Sequence, residues 1–170
     1  MNENKIERQT FTYSLLFRVI FRYGNIIITF LLIIYSLPLA ANLGENKLLI
    51  IPLLIALFII YFLNKHYINL YKILPFRIDV DDEKLVCSEF YLSKKEIIIH
   101  YQDIESLSGG IFENKVSGVM KVCDGKNGVC IGFYHRMTNA NKLATIILSK
   151  VKRELYDEVL EKLITKRKKV

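Results

Sequence analysis

The chain has 170 residues, 52% of them hydrophobic, and carries 24 Lys and Arg against 17 Asp and Glu for a formal charge of +7. That length holds one soluble domain of ordinary size, or a smaller one with a membrane anchor. The 3 cysteines, an odd count, exclude a closed disulfide framework.

The N-terminal stretch "TFTYSLLFRVIFRY" places Thr10, Ser14, Arg18 and Arg22 at every fourth position, along one slowly drifting stripe of a helix. The rest of its surface is aromatic and aliphatic. Two readings stay open for residues 1–22: an amphipathic helix lying in the membrane interface, or a simple extension of the apolar run that follows.

Two apolar runs come next, within residues 23–74. Between Ile26 and Leu63 the only charged residues are Glu45 and Lys47, in the short stretch "AANLGENKLL". A hydrocarbon core about 30 Å thick takes roughly 20 helical residues to cross. Tyr23–Leu43 meets that length, and Leu48–Leu63 does so once Asn64, Lys65 and His66 snorkel to the headgroups. A pair of soluble core helices would show a polar face, and neither run has one. Pro38 and Pro52 are compatible with membrane helices. The segment is therefore predicted to be a two-helix transmembrane hairpin. Lys5, Arg8, Arg18 and Arg22 precede it and Lys65, Lys72 and Arg77 follow it, whereas the loop between the helices holds one Lys. Positive flanks stay inside. Both termini are expected in the cytoplasm, with "NLGENK" outside and Arg18, Arg22, Lys65 and Lys72 at the membrane surface. Cys87, Cys123 and Cys130 then face a compartment where thiols are kept reduced.

From Pro75 the texture changes to short strands. "PFRIDV" alternates Phe76, Ile78 and Val80 on one side, and "LVCSEFYL", "IIIHY" and "QDIESLS" follow between turns. "GVMKVCDGKNGVCIGFY" reads as a hairpin, with Met120 and Val122 facing Val129, Ile131 and Phe133 around "DGKNG". Thr138 or Asn139 caps a final helix. The fold class is α+β.

The stretch "FRIDVDDEKLVCSEFYLSKKEIIIHYQDIESLS", with "Y-x-D-I-x-x-L" at Tyr101–Leu107 and "G-x-x-x-V-x-D-G" at Gly118–Gly125, resembles bacterial pleckstrin-homology-like domains. The likeness covers about residues 75–155. It implies a bent antiparallel β-barrel of seven strands capped by a C-terminal α-helix, within a domain running over 75–170, in a bacterial protein of the cytoplasmic (inner) membrane. Eukaryotic pleckstrin-homology domains that bind phosphoinositides use a basic loop after the first strand, because several phosphates need several Lys or Arg donors. Here the loop read as that one is "DVDDEK", with three aspartates and a glutamate.

Candidate chemistry is sparse. If Val122 pairs with Ile131, Cys123 faces Cys130 on the outer side of the hairpin, about 5 Å apart at Cβ. A structural or reducible thiol pair is the leading reading. A metal site with His135 is the alternative, but its spacing is not a standard zinc pattern and a fourth ligand is lacking. His66 and His100 have no carboxylate partner at local spacing, and Asp103 and Glu105 flank Ile104 as solvent-facing strand residues. No catalytic, cofactor-binding or metal residue is assigned, no small-molecule substrate is identified, and the chain is expected not to be an enzyme. The tail "ITKRKKV" reads first as a solvated run, and on a membrane-tethered chain anionic lipid is a nearer partner for it than nucleic acid.

The final helix, read as one rod from Asn139 to Leu163, would span about 37 Å, longer than one end of a small barrel. Leu143, Ile146, Ile147 and Val151 supply its barrel-facing stripe. Leu155, Val159, Leu160, Leu163 and Ile164 form a second apolar set, predicted to bind a partner: a second copy of the chain, another membrane protein, or the chain's own segment near Tyr67–Leu74; the alternative is that these turns fray or fold back over the strands. The expected role is a non-catalytic, membrane-anchored accessory subunit or adaptor. The alternative is a lipid-binding or sensing protein acting through its N-terminal helix and basic tail.

Overall fold

The computed structural model describes residues 8–91, 93–115 and 117–167, with the side chains of 165–167 left aside. Two compact units are present: Leu15–Lys72 forms one, and the chain before Leu15 joins everything from Ile73 onward in the other.

The first unit is a pair of helices, α1 (Leu15–Ala41) and the bulk of α2 (Ile50–Ile73). A tight turn joins them, in which the Asn46 side chain accepts a hydrogen bond from Leu48 N at 3.0 Å. With the short turn of 3-10 helix before α2 included, both helical stretches are 27 residues long, about 40 Å at 1.5 Å per residue. Only 6% of the most apolar window of each is buried within the protein. Both are long and apolar enough to cross a membrane. Two of the few covered positions carry small or polar side chains: Ala56 is 3% exposed and Asn25 5%. Asn25 Nδ2 donates to Asn64 Oδ1 at 3.2 Å, Asn64 Nδ2 donates to Thr29 Oγ1 at 2.9 Å, and Tyr71 Oη donates to Asn25 Oδ1 at 2.6 Å. A polar group in an apolar surround stays only where it is bonded, so this cluster fixes how α1 meets α2.

The second unit holds seven strands in two antiparallel sheets. The first sheet has the order β1 (Gln9–Thr12), β2 (Pro75–Val80), β3 (Lys84–Phe90), β4 (Ile97–His100); the second has β5 (Ile104–Ser108), β6 (Val119–Asp124), β7 (Val129–Tyr134). Phe11 pairs with Ile78, Ile78 with Cys87 and Cys87 with Ile97; Leu107 pairs with Val122 and Val122 with Ile131. The predicted alternation holds, since Phe76, Ile78, Val80, Met120, Val122, Ile131 and Phe133 are all fully buried. Gly109, at φ 75 and ψ 169, sits where only glycine is at ease. A Cβ there would also collide with the Val119 carbonyl of the neighbouring strand.

Two expectations are corrected. The segment Gln9–Thr12 is not the first part of an amphipathic helix but an edge strand, so, among the described residues, 8–22 are not one separate element and the folded domain does not begin at residue 75. Phe11 and Tyr13 are each 3% exposed; two residues apart, they point inward from a strand, which a helix would not allow. Arg18 and Arg22 lie in the first turns of α1, which runs without a break into the apolar run. The C-terminal helix is also not one rod. It divides into α3 (Ala140–Lys150) and α4 (Arg153–Arg167) at Val151, whose backbone is extended at φ −74 and ψ 165. The break lets α4 turn back onto β5 and the short turn of 3-10 helix at Gly110–Glu113. Asn139 precedes α3 in the left-handed region and its side chain caps nothing.

Candidate functional site

Three surfaces carry chemistry. The first is α4. Leu155 and Val159, predicted to bind a partner, are 7% and 1% exposed and belong to the domain's own core. Leu163 is half-buried. Leu160 and Ile164 are 36% and 56% exposed, and Tyr156 joins them at 39%. These last three recur at four-residue spacing, so they share one apolar ridge.

The second surface is the basic end of the helix pair. Arg18 and Arg22 at the start of α1 and Lys65 and Lys72 near the end of α2 lie at the same end of the antiparallel pair. Lys65 and Lys72 are exposed, and Lys65 Nζ stands 5.8 Å from the Tyr61 ring centroid. Of the basic tail, residues 168–170 lie outside the described residues, as does Lys5.

The third is the outer face of the β6–β7 hairpin. Cys123 pairs with Cys130 in the ladder, and the two sulfurs form a disulfide across a sequence separation of 7. The pair is bonded here, where the sequence reading expects reduced thiols, and the expected facing of the two cysteines is what lets the bond form. Sulfurs bonded to each other are not metal ligands, and among the described residues no group of three His, Cys, Asp or Glu is arranged to hold a metal. Cys87 is free and fully buried, and burial, aided by the nearby Asp79 charge, pushes its thiol pKa far up. At the hairpin tip, Asp124 Oδ1 accepts from Lys126 N at 2.8 Å and Asn127 N at 3.1 Å, and Oδ2 accepts from Asn127 Nδ2 at 2.7 Å. Burial opposes the Asp124 charge, but these donors outweigh it and hold the carboxyl below its ordinary value.

The acidic loop read as following the first strand in fact follows the second, β2, because β1 precedes the helices. The connection after β1 is α1 and α2 themselves. Nor are the loop's three aspartates free. Asp79 is 4% exposed within β2 and accepts from Thr10 Oγ1 at 2.6 Å, Arg77 Nε at 3.1 Å and Arg8 Nη2 at 3.3 Å. Asp82 takes Lys150 Nζ at 2.9 Å, and that ammonium stands 5.5 Å from the Tyr101 ring centroid. Asp81 closes the turn by accepting from Glu83 N and Lys84 N, both at 2.9 Å. A shallow groove beside Lys150, lined also by Glu83, His100 and Lys126, thus has part of its charge paired within the domain.

Sequence reasoning missed the Asp79 cluster because it missed β1. The signal was there: Thr10 to Tyr13 alternates threonine with an aromatic residue, a strand pattern. A scan against protein-family models, a search of the curated proteins and a search of the solved structures each give no match for this chain.

Proposed function

We propose that this chain is a non-catalytic, membrane-anchored accessory subunit or adaptor. Its pleckstrin-homology-like domain and α4 ridge dock onto a partner complex at the bacterial cytoplasmic membrane. The observation that carries the reading is the splice of an apolar helix pair between two neighbouring strands of one sheet. Only Tyr13 and Ser14 separate β1 from α1, and only Leu74 separates α2 from β2. With so little chain at each junction, the domain is tethered beside the bilayer its helices enter, and its task lies there. The bent-barrel reading draws support from Tyr13, which bridges to Met137 beyond β7 and whose hydroxyl accepts from Tyr134 N at 2.8 Å. Positive charge at one end of the helix pair supports cytoplasmic termini. An Asn46→Cys variant is expected to react with an impermeant maleimide added from outside, whereas reaction only after lysis reverses the orientation.

The docking test uses Leu160→Glu with Ile164→Glu. Both side chains are exposed, so the domain keeps its fold, whereas Leu155→Glu would put a charge in the core. Purified from native membranes, the wild type is expected to carry a stoichiometric membrane protein that the double variant loses. A double variant that retains every companion of the wild type removes α4 as the docking surface.

A second reading, a lipid-binding or sensing protein, draws on the exposed Lys65 and Lys72, each contributing about 1 kcal/mol near anionic lipid. A solitary protein whose behaviour follows anionic lipid content would favour it.

A further inference from the structure

We propose that Cys123 and Cys130 are a thiol–disulfide exchange site, taking low-molecular-weight thiols and their disulfides as reactants. Four features of the hairpin lead there.

The pairing does not depend on the bond. Cys123 and Cys130 are directly opposite in a ladder that also pairs Met120 with Phe133 and Val122 with Ile131. All four of those side chains are fully buried, so the strands stay together when the sulfurs part. The tip is closed separately, by the three hydrogen bonds to Asp124. A bridge across seven positions of an already closed hairpin constrains the chain far less than one joining distant segments. Opening and closing it leaves the core in place.

The pair is reachable. Val122 and Ile131 point into the core, so the alternation of the strands turns Cys123 and Cys130 to the outer face, where both are half-buried. Lys121, two residues before Cys123 on the same face, is exposed, and Lys126 stands exposed in the adjoining turn. Ammonium groups near a sulfur favour the thiolate, the form that attacks and leaves.

The third cysteine does not interfere. Cys87 is fully buried in the other sheet, and a buried neutral thiol neither attacks the bond nor scrambles it. The compartment also bears on the outcome. With the domain on the cytoplasmic side, a stable structural disulfide is out of place, whereas a transient one is what such compartments hold.

The exchange balances as follows. A small thiolate attacks one sulfur of the Cys123–Cys130 bond, forming a mixed disulfide and releasing the other cysteine as a thiolate, which takes a proton. A second small thiolate resolves the mixed disulfide, leaving the second cysteine as a thiol and departing as the small-molecule disulfide. The pair gains two electrons and two protons, and two small thiols become one disulfide. Oxidation runs the same steps backward.

The test uses the full chain in detergent, equilibrated with glutathione and its disulfide over graded ratios, quenched in acid and tagged with a heavy maleimide. Two adducts are expected to appear together as the buffer becomes reducing and to vanish together on reoxidation. The circular dichroism spectrum is expected to stay unchanged, and Cys87 to become taggable only in denaturant. A pair that stays bonded in fully reduced glutathione while the chain is folded overturns the proposal, as does reduction that unfolds the domain. In the Cys130→Ser variant, Cys123 is expected to take one glutathione from the oxidised form, and failure to do so also overturns it. In intact cells the pair is expected to be reduced before a brief diamide exposure and bonded after it; a pair already bonded before exposure marks a structural disulfide instead.

Discussion

Deleting the chain through Ser14 is expected to unfold the domain, whereas replacing Leu15–Lys72 with a short glycine-rich turn should yield a soluble, folded one. The difference lies in β1. Phe11 and Tyr13 are each 3% exposed, and removal of a buried aromatic side chain costs about 3–5 kcal/mol. Two such losses approach the whole stability of a small domain, about 5–15 kcal/mol. Deletion also takes Thr10 and Arg8 from Asp79, withdraws the Tyr13 hydroxyl from Tyr134 N, and strips β2 of its partner along Gln9–Thr12. A β2 edge left open is a site for aggregation. In the linked form these contacts remain, because β1 and β2 are antiparallel neighbours, the arrangement a short turn joins. Ile73 is kept, since its side chain lies against Gly132 of β7. Thermal melts by circular dichroism would compare the two forms. If the chain deleted through Ser14 melts cooperatively at the temperature of the linked form, β1 is not part of the domain.

The same strand shows where sequence reading ran out. The apolar helices, the Met120–Phe133 hairpin and the inward set of Phe76, Ile78 and Val80 were legible because each repeats a pattern within a few residues. A strand of four residues offers only Phe11 and Tyr13, and Thr10, Ser14, Arg18 and Arg22 overlay it with helical spacing. Its partner β2 stands beyond both helices, out of reach of any local pattern. With β1 out of local view, every later strand counts one too low, and the acidic turn passes for the loop after the first strand. The α4 surface failed differently. Leu155 and Val159 looked surplus because the helix was measured as a continuous rod, and neither Gly nor Pro announces the break at Val151. Once the chain turns there, those two side chains meet their own domain, and the free ridge narrows to Tyr156, Leu160 and Ile164. The facing of Cys123 and Cys130, by contrast, followed from strand register alone. Compartment chemistry had argued for thiols, and geometry closed the bond.

Asp79 ties the folded domain to acidity. Its side chain is 5% exposed, while its partners Arg77 and Arg8 are 42% and 66% exposed. Burial works against its charge, but Thr10, Arg77 and Arg8 together outweigh that and hold the carboxyl below its ordinary value of 3.8. A carboxylate with a lowered folded pKa adds stability that is complete above the ordinary value. That stability is lost as pH falls through the folded one, where the native state must also take up the proton. Near neutral pH, Asp79→Asn is therefore expected to be less stable than the wild type. Outright loss of a buried ion-pair partner costs about 3–5 kcal/mol. The exposed arginines regain water, and the amide still accepts from Thr10, so the expected loss is about 2 kcal/mol. As the pH drops below 3.8, the wild type should weaken toward the variant and the gap should close. Asp124, present in both, keeps its own acid dependence and cancels from the comparison. Urea unfolding of the two proteins in the same detergent, across a pH series, reads the gap directly. A difference of equal size in acid and at neutrality would mean that Asp79 acts through packing, and that its charge contributes nothing to joining β1 to β2.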